Sequence, residues 1–264
     1  MLLLAAALTT GCGEEGVQEI AGPPTGGAAI RFFNFGVNAP GVNFFANDTK
    51  VTGISVTTCA ILTDANRELC TTTGAESTTG VIYGGVAAGG NYRDIEPGSY
   101  TFSARIAAAT DKGLAIASAQ TTLAMGRQYS FFVSGAYNTA TKQAEAFVVE
   151  DPIPAMDYTV AYVRFVHAIS NAGPMTLFAR DVATGTEQPV GGSVSYRGAG
   201  AFIALPGGTY DLNTRYAGVT TNAVTRTGVV LAAGRVYTIG ARGDITITSP
   251  TATNRPFLDF SANR

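Results

Sequence analysis

The feature of this sequence that most constrains its fold is an internal duplication. Three landmarks recur in the same order: an apolar strand-like segment with an arginine, a Pro-Gly turn before a tyrosine, and a Leu-Ala-x-Gly-Arg turn before a tyrosine. The paired segments are 29–34 and 162–167, 97–100 and 206–210, and 123–129 and 231–237. Three recurrences in one order predict two modules of the same architecture.

Composition indicates that these modules are built from strands. The chain of 264 residues has 32 glycines, 14 phenylalanines and 11 tyrosines but no tryptophan, which is typical of short strands joined by glycine turns. A hydrophobic fraction of 46% excludes general disorder. The net charge of −2 comes without a lysine- or arginine-rich run, so nucleic acid is not an expected partner.

Hydrophobic periodicity supports the same interpretation. Residues 99–106 alternate between polar and apolar side chains with a period of two, as in a half-buried strand. Residues 30–35 and 160–167 are apolar on both faces, as expected for central strands. The predicted fold class is all-β, with two tandem antiparallel β-sandwich modules of the Ig-like or Greek-key type.

Prolines and glycines mark the predicted boundaries. The first module is expected at 29–150 and the second at 159–248, followed by a C-terminal tail at 249–264. Between the modules, the linker 151–158 carries two prolines in three residues, which interrupts a strand and stiffens a short connection. Such a linker is expected to restrict movement between the modules.

The first module contains an insertion with two cysteines. Arg31 and Arg164 are 133 residues apart, whereas Pro97 and Pro206 are 109 apart, so 24 extra residues precede the first Pro-Gly turn. The threonine-rich segment at about 52–79 is the expected place. Its Cys59 and Cys70 are predicted to form a disulfide, worth about 3 kcal/mol for a loop of this size. Two free buried thiols are the alternative, and a zinc site is poorly supported because no histidine lies nearby.

The N-terminal residues predict export and anchoring. Residues 1–12 are apolar, too short to span a bilayer, and end in Leu-Thr-Thr-Gly-Cys, which resembles a bacterial lipobox. Cys12 is therefore the expected lipidation site, and the Gly/Pro-rich residues 13–28 the expected tether. The alternative is an ordinary secretory signal with an incidental Cys12. The expected location is the cell envelope, lipid-anchored to the outer membrane or cell surface, or otherwise secreted or periplasmic, with the membrane as a partner through the anchor.

The duplicated landmarks resemble those of the DUF4397 domain, a domain of unknown function. Residues 31–45 are similar to its opening Arg-x-x-His stretch, Ala-Pro turn and strand, and 164–168 match the first element with the histidine present. The Pro-Gly-x-Tyr and Leu-x-x-Gly-x-x-Tyr elements match in both halves, so the resemblance covers roughly 29–137 and 160–243. It implies a β-rich module of bacterial envelope and secreted proteins with no established activity.

A search for catalytic and metal-binding groups yields no constellation. His167 is the only histidine, and its counterpart in the first module is Asn34, so a packed, hydrogen-bonded imidazole is expected. Asp94 and Glu96 share a strand face, but the second module has no acid at the corresponding places. Asp151 and Asp157 could be considered for calcium, although no Asp-x-Asp-x-Asp loop exists. No Gly-x-Ser-x-Gly elbow occurs either. No catalytic residue, cofactor or metal is predicted.

Two functions remain as sequence-based hypotheses. The first is a non-enzymatic cell-envelope lipoprotein that presents tandem β-sandwich modules for binding or surface structure. The alternative is a carbohydrate- or polymer-binding accessory protein that uses exposed tyrosines, with Tyr83, Tyr92 and Tyr196 beside glycine turns as candidates. A polysaccharide or an envelope protein is the candidate partner in either case.

Overall fold

The computed structural model describes residues 27–52, 54–62, 67–75 and 79–263. Over these ranges the protein is all-β, with four sheets that form two sandwiches and a separate two-stranded hairpin. The predicted all-β sandwich class is confirmed, while the Ig-like type stays a prediction. The described residues include no helix with the length and hydrophobicity needed to cross a bilayer.

The first sandwich is formed by two sheets of residues 28–150. Its inner sheet faces the second sandwich and contains β1 (Ala28–Asn34), β6 (Gly85–Val86), β7 (Arg93–Ile95), β10 (Gln128–Asn138) and β11 (Gln143–Glu150). Its outer sheet contains β2 (Val42–Ala46), β3 (Thr49–Lys50), β8 (Gly98–Ile106) and β9 (Ala115–Leu123).

The second sandwich repeats this arrangement. Its inner sheet contains β12 (Val160–His167), β15 (Ile203–Pro206), β18 (Val236–Arg242) and β19 (Phe257–Ala262). Its outer sheet contains β13 (Met175–Asp181), β14 (Glu187–Val194), β16 (Gly208–Tyr216) and β17 (Val224–Leu231). The segment 249–264, predicted as a tail, therefore supplies a strand of this sheet, because Leu258 and its neighbours complete the second core.

Each inner sheet contains one parallel pair, which departs from the purely antiparallel arrangement that the sequence predicted. β1 is parallel to β10, with Arg31 opposite Ser130, and β12 is parallel to β18, with Arg164 opposite Thr238. The two pairs have the same register relative to the duplicated landmarks. A parallel pair requires a long crossover, and in each module the strands of the outer sheet provide it.

The central strands of the inner sheets, β1, β10, β12 and β18, are largely buried on both faces, because one face packs into its own sandwich and the other packs against the opposite sandwich. In β1, Ile30 and Phe32 pack into the first sandwich, whereas Arg31 and Phe33 point to the opposite face. That opposite face packs on the corresponding face of the second sandwich, so Phe33 shares a third apolar cluster with Val166. The molecule is thus a stack of four sheets, and the two-sided apolar pattern of 30–35 follows from the stacking.

Two tyrosine contacts recur in both sandwiches. The hydroxyl of Tyr129 accepts a hydrogen bond from Ala124 N at 3.0 Å, and that of Tyr237 accepts one from Ala232 N at 3.1 Å. These bonds close the Leu-Ala-x-Gly-Arg turns, where Gly126 has a φ of +70° that favours glycine. In the Pro-Gly turns, Tyr100 and Tyr210 each donate to the carbonyl oxygen four residues earlier.

The insertion forms a hairpin of its own. β4 (Ile54–Leu62) and β5 (Arg67–Ala75) are antiparallel, and no other described strand is hydrogen-bonded to either of them. Cys59 lies directly opposite Cys70 in this register. Opposed residues of an antiparallel pair have Cα atoms about 4.5–5.5 Å apart, a separation that a disulfide spans. The backbone therefore favours the predicted disulfide, which stays a prediction.

Candidate functional site: the junction between the two sandwiches

The junction between the inner sheets contains a buried network of charged side chains. Arg31 on β1 and Arg164 on β12 point into it from opposite sheets, and Asp151 of the linker lies between them. All three side chains are essentially inaccessible to solvent. The two arginines are the duplicated residue of the opening strands, so the repeat places one guanidinium on each side of the junction.

Asp151 is the centre of this network. Its Oδ1 accepts a hydrogen bond from Arg164 Nη2, and its Oδ2 accepts from Ser130 Oγ at 2.6 Å and from Tyr92 OH at 2.5 Å. Arg31 Nε lies 3.7 Å from the same Oδ2. The carboxylate thereby holds the first sandwich, the linker and the second sandwich together.

The remaining arginine donors reach across the junction. Arg31 Nη2 donates to Thr238 Oγ1 at 3.1 Å, and Arg31 Nη1 donates to Ser261 Oγ at 3.1 Å and to Ala262 O at 3.0 Å. Arg164 Nε also donates to Thr238 Oγ1, at 3.0 Å. The first described strand, β1, is consequently bonded to the last described strand, β19.

The network has two guanidinium groups for one carboxylate, so it buries an excess positive charge. Aromatic faces partly offset this charge: the Arg31 guanidinium lies 4.9 Å from the Tyr92 ring centroid, and that of Arg164 lies 4.8 Å from Phe202. Burial lowers the pKa of Arg31, because water no longer solvates the cation. Burial and the nearby Asp151 carboxylate raise the pKa of Tyr92, so its hydroxyl stays a donor.

An apolar cluster continues the junction beyond the charges. Four phenylalanines of the first sandwich pack against Val166 and Ala168 of the second. They are Phe33, Phe35, Phe132 and Phe147. The rings of Phe33 and Phe132 stack with centroids 4.6 Å apart. A β-carbon added at Gly240 would lie 2.7 Å from Phe35 Cε2, so glycine is what allows this close approach.

The three tyrosines proposed as an exposed platform lie in this junction, so the expectation of exposed rings is wrong. All three are half-buried. Tyr92 also accepts a hydrogen bond from Asn263 Nδ2 at 2.7 Å. Tyr83 packs on the guanidinium of Arg242 across the junction, 4.7 Å from its ring centroid. Their rings contact arginines and the opposite sandwich instead of facing solvent together.

Tyr196 forms a second polar contact across the junction. Its hydroxyl donates to Glu145 Oε2 at 2.9 Å and lies 2.8 Å from Ser134 Oγ, both in the first sandwich. Arg197 forms an ion pair with the same carboxylate. Burial alone would raise the pKa of Glu145, but the hydrogen bonds from Arg197 and Tyr196 outweigh this effect and hold the pKa below its usual range. Polar contacts thus flank the apolar cluster on this side.

His167 is fully buried and hydrogen-bonded within the second sandwich. Its Nδ1 accepts from Ile169 N at 3.2 Å, so the proton is on Nε2, which donates to Gly173 O at 3.0 Å. Burial lowers the pKa of His167 and favours the neutral ring. Its contacts are those of the structural histidine that the sequence predicted.

The other candidate acids are not brought together. Asp157 is more than half shielded and, among the described residues, accepts hydrogen bonds from Thr159, while Asp151 is engaged in the arginine network. Asp94 and Glu96 are exposed on β7 and the turn that follows it. Within the described ranges, no group of three or more His, Cys, Asp or Glu side chains is arranged to hold a metal ion. Residues 1–26, which include the predicted lipidation site Cys12, lie outside the described residues.

Sequence reasoning missed the importance of Arg31, Arg164 and Asp151. A signal was present, because an arginine recurs at the same position of two otherwise apolar strands, where an unpaired charge would be costly. The matching acid lies in the linker, outside both repeats, and no periodicity identifies it.

Two cavities accompany these features. One of about 400 Å³ opens beside Asp151 and is lined by the turn at 126–128, by Pro152 and Ile153, and by Asn263. The other, of about 390 Å³, lies on the outer sheet of the first sandwich among uncharged hydroxyl and amide side chains. Its lining includes Asn47, Thr101 and Gln120.

Comparison with known proteins places these observations in a family. The sequence profile of the domain of unknown function DUF4397 matches residues 28–178, from β1 into β13. No curated protein matches the chain significantly. The Bacillus anthracis TIE protein, a solved structure, is 13% identical over 82% of this chain, with a TM-score of 0.24. This chain spans about a third of that protein, 34% of its length.

A second solved structure belongs to a Bacteroides fragilis protein with a provisional assignment as a cell adhesion protein. It is 8% identical, with 90% of this chain and 98% of that chain covered and a TM-score of 0.23. Similarity at this level identifies neither a shared activity nor a shared partner.

Proposed function

The chain belongs to the DUF4397 family of domains of unknown function, and from that premise we propose that it is a non-enzymatic lipoprotein of the cell envelope. In this proposal two DUF4397-like modules in tandem, at 29–150 and 159–248, form one rigid unit that is anchored through Cys12. The unit serves binding or surface architecture. Its location is the outer membrane or cell surface, or otherwise the periplasm or medium, and its partner is a polysaccharide or an envelope protein.

The tandem interpretation is supported by residue-by-residue equivalence. Arg31 corresponds to Arg164, and the parallel partners Ser130 and Thr238 occupy the same register. The tyrosine contacts at 129 and 237 close equivalent turns. Such agreement in the side-chain bonds of two halves follows naturally from a duplicated domain.

The observation that carries the structural role is the Asp151 network. Three buried charges, with hydrogen bonds to both inner sheets, fix the orientation of the sandwiches, because separating them would leave those charges unpaired. The ionisable groups at the junction are therefore engaged with one another, which suits a rigid support better than a reaction centre. No catalytic role is proposed for any residue.

Membrane fractionation tests the anchoring. The full chain, expressed in a bacterial host with a radiolabelled or alkyne-labelled fatty acid, is compared with its Cys12→Ser and Cys59→Ser variants. We expect label and membrane association in the parent and in Cys59→Ser, and neither in Cys12→Ser. Membrane association of Cys12→Ser equal to that of the parent would refute anchoring at this residue.

A second candidate function is binding of a carbohydrate or another neutral polymer. The observation that favours it is the cavity of about 390 Å³ on the outer sheet, whose lining groups are hydroxyls and amides without charge. Such groups suit the hydrogen-bonding pattern of sugars. A glycan array probed with the parent protein and with Gln120→Ala tests this function. We expect the parent to bind a glycan that the variant does not bind. Identical array signals from both proteins would exclude this cavity.

A further inference from the structure

We propose that the end of the molecule that carries Gly27 rests on the lipid bilayer, with Met125, Met156 and Tyr158 in its headgroup region. This inference rests on the proposed anchor at Cys12 and adds to it an orientation and a second membrane contact. The end is called the tethered end below and comprises Gly27, the turn at 124–127 and the linker at 151–159.

The chain enters the first sandwich beside the turn that carries Met125. Gly126 N donates a hydrogen bond to Gly27 O at 3.2 Å, and Ala29 N donates to Arg127 O at 2.9 Å. The side chain of Met125, next to this contact, is 74% exposed. An apolar side chain thus protrudes where the tether joins the folded body.

The linker and the second sandwich reach the same end. Pro152 and Ile153 line the cavity that Gly126 also lines, which places the linker beside the turn. Tyr158 packs at Gly234, where an added β-carbon would lie 3.2 Å from Tyr158 Cδ1. β18 is parallel to β12, and along β1 Arg31 reaches Thr238 while Phe35, four residues later, lies at Gly240. The opening strands of both sandwiches therefore run in the same direction, and their first residues share one end.

Exposed apolar side chains are concentrated at this end. Met156 and Tyr158 are 48% and 77% exposed, and both lie in the linker shortly after Pro152 and Ile153, which line the cavity. Val182 and Val230, 50% and 63% exposed, flank Thr209 on the second sandwich at the same end. Neighbouring exposed apolar groups mark a contact surface more often than scattered ones do.

The predicted tether favours a lipid bilayer as the partner that contacts this apolar surface. Residues 13–26 number fourteen and extend at most about 50 Å, so a lipid on Cys12 keeps this end close to the membrane. Tyrosine prefers the headgroup level, where its ring is shielded and its hydroxyl is hydrated. The charges here are of mixed sign, since exposed Arg127 pairs with Glu150 at 3.4 Å, so contact with zwitterionic lipid is expected without a need for anionic lipid.

A fluorescence experiment tests the contact, because the chain has no tryptophan and each Tyr-to-Trp or Val-to-Trp variant carries one reporter. Residues 12–264 with Cys59→Ser and Cys70→Ser, checked for folding by circular dichroism, are coupled through Cys12 to maleimide lipid in phosphatidylcholine vesicles. Tyr158→Trp reports on the tethered end. Val219→Trp is the matched control, since Val219 is 45% exposed beyond the far end of β16.

We expect brominated phosphatidylcholine to quench Tyr158→Trp and to shift its emission to the blue, and to leave Val219→Trp unchanged. Equal quenching of both variants, or of neither, would overturn the orientation. A blue shift of Tyr158→Trp in solution that grows with protein concentration would also overturn it, because a second copy would then cover the end. Since the coupling is chemical, these outcomes do not depend on whether cells lipidate Cys12.

Discussion

Asn34 and His167 make equivalent side-chain hydrogen bonds in the two sandwiches. Asn34 Nδ2 donates to Pro40 O at 3.1 Å, and His167 Nε2 donates to Gly173 O at 3.0 Å, so each side chain reaches the carbonyl oxygen six residues later. Both side chains are fully buried at the end of an opening strand. An amide at one position and a neutral imidazole at its duplicate therefore donate the same hydrogen bond.

This equivalence predicts that His167→Asn is tolerated. The amide can replace the Nε2 donor, so the free energy of unfolding should fall by about 1 kcal/mol. Urea unfolding followed by circular dichroism measures it, with His167→Ala as the comparison that removes the donor and leaves a cavity. A loss in His167→Asn as large as that in His167→Ala would show that the imidazole has a role the amide cannot fill.

The same histidine predicts acid sensitivity. Burial places the folded-state pKa of His167 below the unfolded value of about 6.5. The unfolded chain then binds a proton that the folded chain does not, so stability should decrease as the pH falls from about 6.5 towards the folded-state pKa. Melting temperatures between pH 7.5 and 5 should show a component that His167→Asn lacks. Superimposable pH profiles would contradict this assignment.

Asp151→Ala should be strongly destabilising. It would leave Arg31 and Arg164 buried without their carboxylate, at a cost of about 3–5 kcal/mol. The matched control is Asp48→Ala, which removes a 98% exposed carboxylate paired with Arg105 and should cost less than about 1 kcal/mol. Denaturant unfolding of both variants makes the comparison, and similar small losses would mean that the network does not hold the sandwiches together.

Gly240→Ala should strain the junction. Its methyl group would meet the ring of Phe35, which is buried and held by Phe33 and Phe132, at a cost of about 1–3 kcal/mol. Combining it with Phe35→Leu should recover part of that loss in a double-mutant cycle. Gly192→Ala, where no heavy atom lies within 4 Å of the added carbon, is the control. Additive effects of the Gly240 and Phe35 substitutions would argue against the clash.

Cys59 and Cys70 should be linked in exported protein. Non-reducing peptide mapping should recover 59 and 70 in one cross-linked fragment, and recovery of two free thiols would refute the disulfide. Because β4 and β5 pair only with each other among the described strands, reduction should increase amide hydrogen exchange in 54–75 alone. Exchange in β10 and β18 should not change.

The sequence predicted what depends on local chemistry. Alternation in 99–106 identified a strand, and the repeated Leu-Ala-x-Gly-Arg segments identified two equivalent turns that each lead into a strand. It did not predict the parallel pairing of β1 with β10, because strands that lie about a hundred residues apart leave no periodic trace of their partner. The prediction of exposed tyrosines was wrong for a related reason, since Tyr83, Tyr92 and Tyr196 each contact a residue of the other sandwich that the local sequence does not identify.

The junction itself was only half predictable. A repeated arginine in an apolar strand indicates a buried partner, but Asp151 lies in a linker whose prolines predict a stiff connection and do not identify a buried carboxylate. Similarly, the sequence delimits the segment 249–264 but does not identify its pairing with β18, which depends on three-dimensional closure.

The bond from Arg31 to Ala262 has a consequence for the order of folding. It joins residues 231 positions apart, so the junction closes only after β19 has been delivered to β18. Contacts of such separation carry a large loop-closure cost and form late. A chain synthesised N-terminus first would leave Arg31 Nη1 without Ser261 and Ala262 until β19, the last described strand, arrives. During that interval a guanidinium group lacks two of its hydrogen-bond acceptors, and the pairing of β19 with β18 is the step that supplies them.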